Sequence, residues 1–236
     1  MKKENRSYKK NKSGQGIIEY LLIVVLAVMA SLAGLKVAGV NVNNLLEKAS
    51  GLFGQQEETY LTDSFMNLNS WKSYFGQNCW KAENGILSTT KKSCDSRILN
   101  TTDLPDDYQV NMDMAQLVSG DGYGITFRLT KSLGSYAGYS FQVDPGYGNK
   151  FIFRRYDEKG VELAKPLAIG NPPAGFDFNA PHKVSVSVKG NTFKAYVDGA
   201  LVLTATDSTY TSGGVGLRVW DNTQAKFSDF SVTPPK

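Results

Sequence analysis

From residue 62 onward, apolar and polar side chains alternate in short runs separated by turn residues. Tyr123, Ile125, Phe127 and Leu129 fall on one face of a strand, with Thr126 and Arg128 on the other. Phe141 and Val143 flank an outward Gln142 in the same way, and Val184, Val186 and Val188 alternate with serines. Period-two alternation marks a strand with one buried face. Gly190-Asn191 and Asp198-Gly199 sit between apolar runs as hairpin turns. Nothing in this part keeps a helical period for more than a turn or two. The pattern predicts a mainly β domain, a jelly-roll β-sandwich of two antiparallel sheets.

The first fifty residues obey a different rule. Residues 15–50 are apolar, then amphipathic, with Val42, Leu45, Leu46 and Ala49 at helical spacing, and predict one long N-terminal hydrophobic α-helix. Residues 1–14 form a basic leader, and residues 51–61 (GLFGQQEETYL) read as a linker to the domain at 62–236. A hydrophobic content of 41% is enough for a sizeable core and argues against disorder.

Charge changes this picture little. The formal net charge is +4, but Lys2, Lys3, Arg6, Lys9, Lys10 and Lys12 face only Glu4 within the leader, so the remainder is slightly acidic. A nucleic-acid binder keeps its basic surface on the folded part. Nucleic acid is therefore excluded as a partner. The two cysteines, Cys79 and Cys94, read as a disulfide closing a short loop in an exported protein, worth about 3 kcal/mol for a loop of about 15 residues. Two unpaired buried thiols are the alternative.

Glu19 stands at the head of the apolar run, where a lone acid in hydrocarbon costs roughly 2.5–3.5 kcal/mol. Three readings compete for this segment. One is a signal peptide cut after Ser31-Leu32-Ala33, and one is a plain membrane anchor. The third accounts for more residues: a basic leader ending at Gly14, then Gln15, then Glu19-Tyr20, then an unbroken apolar helix. This order resembles the type IV pilin signature, in particular the Flp branch and the class III signal peptides. Gln15 departs from the aromatic residue that many type IV pilins carry there. The resemblance implies cleavage between Gly14 and Gln15 by a prepilin peptidase. It also implies assembly with other pilin subunits through Glu19 and Tyr20, Glu19 meeting a neighbour's new N-terminus. The protein would first be inserted in the inner or cytoplasmic membrane, then displayed on an extracellular pilus or the cell surface.

Farther along, HKVSVSVKGNTFKAYVDGALVL and GGVGLRVWDNTQAKFSDFSV resemble the C-terminal half of concanavalin A-like jelly rolls. That group includes laminin-G-like domains and a keto-disaccharide hydrolase-like domain. The combined expectation is a minor or adhesive pilus subunit whose β-sandwich head contacts a surface or a glycan. The alternative is a membrane-tethered or secreted glycan-active domain of the keto-disaccharide hydrolase type.

Candidate chemistry in the head is sparse. His182 is the only histidine, and it comes after Pro181 at the start of a strand, a position suited to structure. The Glu-x-Asp-x-x-Glu string of related glucanases is absent, and Asp157-Glu158 sits in a turn before Gly160. No enzyme activity is expected. Sugar binding asks for less. By strand parity Arg128, Gln142, Arg154, Arg218 and Trp220 point outward and converge if their strands share a sheet, with Tyr136, Tyr139 and Tyr147 as the rim. No cofactor is expected beyond a structural calcium between the first and last strands, for which Asp63 and Asp229 are the available acids.

Overall fold

The computed structural model describes residues 58–90, 95–220 and 222–236. The helix expected at 15–50, with Gly14, Gln15, Glu19 and Tyr20, lies outside them, as does Cys94. Among the described residues no helix is long and apolar enough to cross a membrane.

Among the described residues fifteen strands build two antiparallel sheets. In chain order they are β1 (Leu61–Asp63), β2 (Trp71–Gly76), β3 (Trp80–Glu83), β4 (Ile86–Thr89), β5 (Ser96–Asn100), β6 (Tyr108–Ser119), β7 (Tyr123–Ser132) and β8 (Ser135–Asp144). They continue as β9 (Lys150–Tyr156), β10 (Ala168–Gly170), β11 (Pro181–Lys189), β12 (Thr192–Val197), β13 (Ala200–Thr206), β14 (Gly214–Val219) and β15 (Gln224–Thr233). The eight-stranded sheet runs β13-β12-β11-β6-β15-β4-β3, with β1 paired on β15. The seven-stranded sheet runs β10-β9-β8-β7-β14-β5-β2. This is the predicted β-sandwich. Tyr60 already donates its N–H to Val232 O at 2.8 Å and Leu61 pairs with Val232, so Leu61 belongs to the sheet rather than to a linker.

The alternation explains the core. Phe127, Phe141, Phe153 and Leu217 from one sheet meet Val186, Phe193, Phe227 and Phe230 from the other, all with at most 1% exposure. Phe127 sits edge-on to Phe193 with ring centroids 5.0 Å apart. Each buried ring of this kind contributes about 1.5–3 kcal/mol by leaving water. Strand β7 breaks the rule. Its pairing slips between Phe127 and Thr130, and Arg128 takes a left-handed φ of 48°. A bulge of this kind inserts a residue and exchanges the two faces for the rest of the strand. Leu129, expected inside, instead lines an outer cavity with Leu99 and Tyr136.

Candidate functional site

Cross-strand register creates the site. On the outer face of the seven-stranded sheet Arg97, Arg218, Gly124 and Gln142 are consecutive partners across β5, β14, β7 and β8. Gly124 leaves a gap in that row. A Cβ there would lie 3.5 Å from the Gln142 side chain and 3.9 Å from that of Arg218, so any larger residue would fill the space between them. Ser140 pairs with Arg154 one row farther on.

Over this row lie residues 157–167, an excursion between β9 and β10. Asp157 caps its turn, accepting from the N–H groups of Lys159 (2.9 Å) and Val161 (2.8 Å). Arg97 donates to Gly160 O at 2.8 Å, and Arg154 to Leu163 O at 3.2 Å and Ala164 O at 3.1 Å. Glu162 bridges to Tyr156 through its backbone and turns its carboxylate into the row. There it meets Arg154 Nε at 2.9 Å, accepts from Gln142 Nε2 at 2.8 Å, and is ion-paired with Arg218. Arg218 also donates to the Tyr156 hydroxyl at 2.6 Å, which in turn donates to Ser140 at 3.1 Å. Burial pushes the Tyr156 phenol up, but the Arg218 and Arg97 guanidiniums outweigh it and hold the group below its ordinary value.

A cavity of about 280 Å³ opens beside this network, lined by Gln142, Asp144, Arg154, Glu162, Arg218 and Trp220, with Asp121, Gly146 and Tyr147 at its edge. The Arg218 guanidinium lies over Trp220 at 5.0 Å, and that of Arg154 over Tyr147 at 4.8 Å. Trp220 is seated against Gly122, where a Cβ would come within 2.6 Å of the indole. Asp144 accepts the Tyr147 N–H at 2.8 Å through Oδ1, and Oδ2 makes no further bond to a described residue. Burial raises the Asp144 carboxyl to about 6 against the pull of the Tyr147 N–H, Arg154 and Arg218. The two guanidiniums face three carboxyl groups, those of Glu162, Asp144 and Asp121. The cavity therefore offers both fixed donors and fixed acceptors without an excess of positive charge, the set that a neutral polyhydroxylated ring requires.

Four of the predicted outward residues, Gln142, Arg154, Arg218 and Trp220, thus converge with Tyr147 from the predicted rim. Two others do not. Arg128 is 1% exposed and lies on the inner side of the bulge, its N–H held by the Tyr108 hydroxyl at 2.8 Å. Its guanidinium donates to Tyr210 O (3.1 Å) and Asp106 O (3.3 Å) over the Phe193 ring. Tyr139 shares the parity of Phe141 and is fully buried, stacked on Phe127 at 5.5 Å, its hydroxyl donating to Asp207 at 2.7 Å. Burial raises its phenol well above the ordinary value. Tyr136 lines the cavity beside Leu99 instead.

Sequence reasoning misses Asp144 and Glu162. Asp144 carries a signal, since it is two residues from Gln142 on one strand face. Glu162 carries none, because the excursion has no periodicity. Elsewhere, Asp63 accepts the Phe65 N–H and the Trp71 indole N–H, both at 2.7 Å, and Asp229 is exposed with a left-handed φ of 52°. Among the described residues no three acidic, histidine or cysteine side chains gather as a metal site. Cys79 is buried and is not a free thiol.

Fold and site together define a concanavalin A-like β-sandwich with a polar cavity on one outer face. The chain belongs to the 3-keto-alpha-glucoside-1,2-lyase-like domain family, whose sequence model matches residues 59–233. It is similar to a levanase of Bacillus subtilis, with 28% identity over 153 residues, covering 61% of this chain and 21% of the levanase. It thus spans about a fifth of that relative. Among solved structures it is similar to the carbohydrate binding module CBM66 from Bacillus subtilis, with TM-score 0.59 and 24% identity, covering 71% of this chain and 97% of that one. It is also similar to the beta-glucanase of Bacillus licheniformis, with TM-score 0.54 and 21% identity over 76% of this chain and 99% of that one. The family assignment and the levanase match overturn the expectation of a pilus subunit. The family also takes its name from a lyase, which lends no support to the expectation of a head without catalysis.

Proposed function

We propose that this domain binds the terminal unit of a neutral glycan in the cavity bordered by Arg218 and Trp220. The observation that carries this reading is the buried Arg154–Glu162–Arg218 network with Gln142 and Asp144 beside an indole. A sugar ring presents an apolar face for Trp220 and hydroxyls that both donate and accept, and the cavity provides a partner for each. Its size, near the lower bound of about 300 Å³ for ligand pockets, suits one ring rather than a long chain segment. The charge balance disfavours acidic sugars. Likeness to a levanase makes fructose the first sugar to test. Calorimetric titration of the full-length protein with fructose, glucose and galactose should give saturable binding to one of them, lost in Arg218→Ala. Absence of binding to all three would overturn the reading.

A second reading is favoured by the family's name together with Asp144, whose carboxyl is raised to about 6 and so poised to take a proton near neutral pH. In an elimination on a 3-keto glycoside, Asp144 would remove the proton from the carbon between the ketone and the anomeric centre. The electron pair would form the new double bond as the glycosidic oxygen leaves, while Arg154 and Arg218 stabilise charge developing on the ketone oxygen. Incubation with a 3-keto-disaccharide separates the two readings. Release of an unsaturated sugar that disappears in Asp144→Asn supports elimination.

A further inference from the structure

A second cavity of about 510 Å³ lies on the other side of a short 3-10 turn, Pro145–Tyr147, that walls the first. The turn divides its residues between the two hollows. Gly146 and Tyr147 line the first, and Pro145 and Asn149 the second. The paired segment does the same, with Asp121 on one side and Gly120 on the other. Gly146 N–H donates to Asp121 O at 2.9 Å, and a Cβ at Gly146 would strike the Asp121 side chain, so the wall is held tight and thin. With successive Cα atoms about 3.8 Å apart, a wall two residues wide is of the order of one sugar unit.

The far side of the second cavity is an aromatic platform. Phe176 stacks on the imidazole of His182 with centroids 4.3 Å apart, and sits edge-on to Phe151 at 5.2 Å and Phe178 at 5.0 Å. His182 is itself fixed from both ring nitrogens, 2.7 Å from Asp198 and 2.7 Å from Asp177 O. The platform is therefore rigid before any ligand arrives. The polar lining consists of Asn149, Asp177 and Asn179, with no lysine or arginine among the described residues. The Asn149 amide makes no hydrogen bond to a described residue. Asn179 Nδ2 donates to Leu117 O at 3.1 Å, and its Oδ1 makes none. A half-exposed aromatic surface beside unspent amides suits a neutral sugar ring as well as the first cavity does.

We infer that this second cavity takes the sugar unit next to the one held at Arg218, so that the ligand is an oligosaccharide chain bridging the Pro145–Tyr147 wall. The inference rests on the first cavity being the site of the terminal unit. The wall they share, Pro145–Tyr147 against Gly120 and Asp121, is what commits the second to the same ligand.

Titration of the full-length protein with fructose and with short levan oligosaccharides tests it. The oligosaccharides are expected to bind about 10-fold more tightly than fructose, on the order of one added aromatic contact. Phe176→Ala should remove that gain while leaving fructose affinity unchanged. Pro173→Trp, a bulky residue at the exposed rim that leaves the platform intact, should do the same. Equal affinity for fructose and oligosaccharides in the wild type overturns the second subsite and leaves the first standing. Loss of fructose binding in both variants also overturns it, since the platform would then act only as a prop for the first cavity. Failure of the wild type to bind either probe overturns the inference, and removes the proposed function as well when glucose and galactose also fail to bind.

Discussion

The two ends of the seven-stranded sheet each bury an arginine, and they use it in opposite ways. At one end Arg128 turns inward at a bulge and gives its guanidinium to backbone carbonyls over Phe193. At the other, Arg218 stays on the outer face, pairs with Glu162 and borders an open cavity. Both are less than a tenth exposed. Burial alone therefore does not distinguish a structural arginine from a functional one. Each keeps a buried Nε without a partner, so the difference lies in whether an open cavity adjoins the guanidinium.

That contrast can be broken by experiment. Arg128→Ala should cost the most in stability, about 3 kcal/mol, because it empties the volume of a fully buried side chain at the bulge and frees the Tyr210 and Asp106 carbonyls. Urea unfolding would measure it, and glycan affinity of the folded fraction should not change. Arg218→Ala should do the reverse, lowering affinity by about 100-fold in calorimetry while costing stability only about 1–2 kcal/mol. If both variants lose the same property, the two ends are not different in kind. Trp220→Ala removes one stacking face and should weaken binding by roughly 5–10-fold.

The smallest effect concerns Asp144. Its carboxyl is raised to about 6 in the folded domain, above its unfolded value near 4, chiefly by burial. The folded state therefore holds the proton more tightly than the unfolded one. Its contribution to stability is complete below about pH 4 and is lost as pH rises through about 6. Asp144→Asn should flatten that part of the pH–stability curve. An unchanged curve would show that Asp144 is better solvated than its setting implies.

The same two ends show what a sequence can disclose. Strand parity is sufficient for Gln142, Arg154, Arg218 and Trp220, because β8, β9 and β14 keep strict alternation up to the site and their register is unbroken there. It fails at Arg128 because the bulge falls on Arg-Leu-Thr, with no glycine to announce a positive φ. Tyr139 was expected at the rim against its own parity, which matches Phe141 and places it in the core. Glu162 is invisible, since its position depends on three arginines on the sheet binding carbonyl and carboxylate groups of a loop far from most of them in sequence. The β-sandwich itself is legible because alternation reports directly on which face meets water.

The excursion at 157–167 has a consequence for how such a domain changes over time. It enters and leaves the sheet at one edge, Tyr156 to Ala168, and is stitched to it mainly through its own backbone carbonyls. Carbonyl groups are present whatever the side chains are. New side chains can therefore be tried along this segment, outside Glu162 whose carboxylate holds Arg154 and Arg218, without altering the carbonyl anchoring or the strand order beneath. The sheet behaves as a fixed instrument and the excursion as its exchangeable keyboard. Recombining that one segment among relatives is the shortest route to a domain that reads a different sugar.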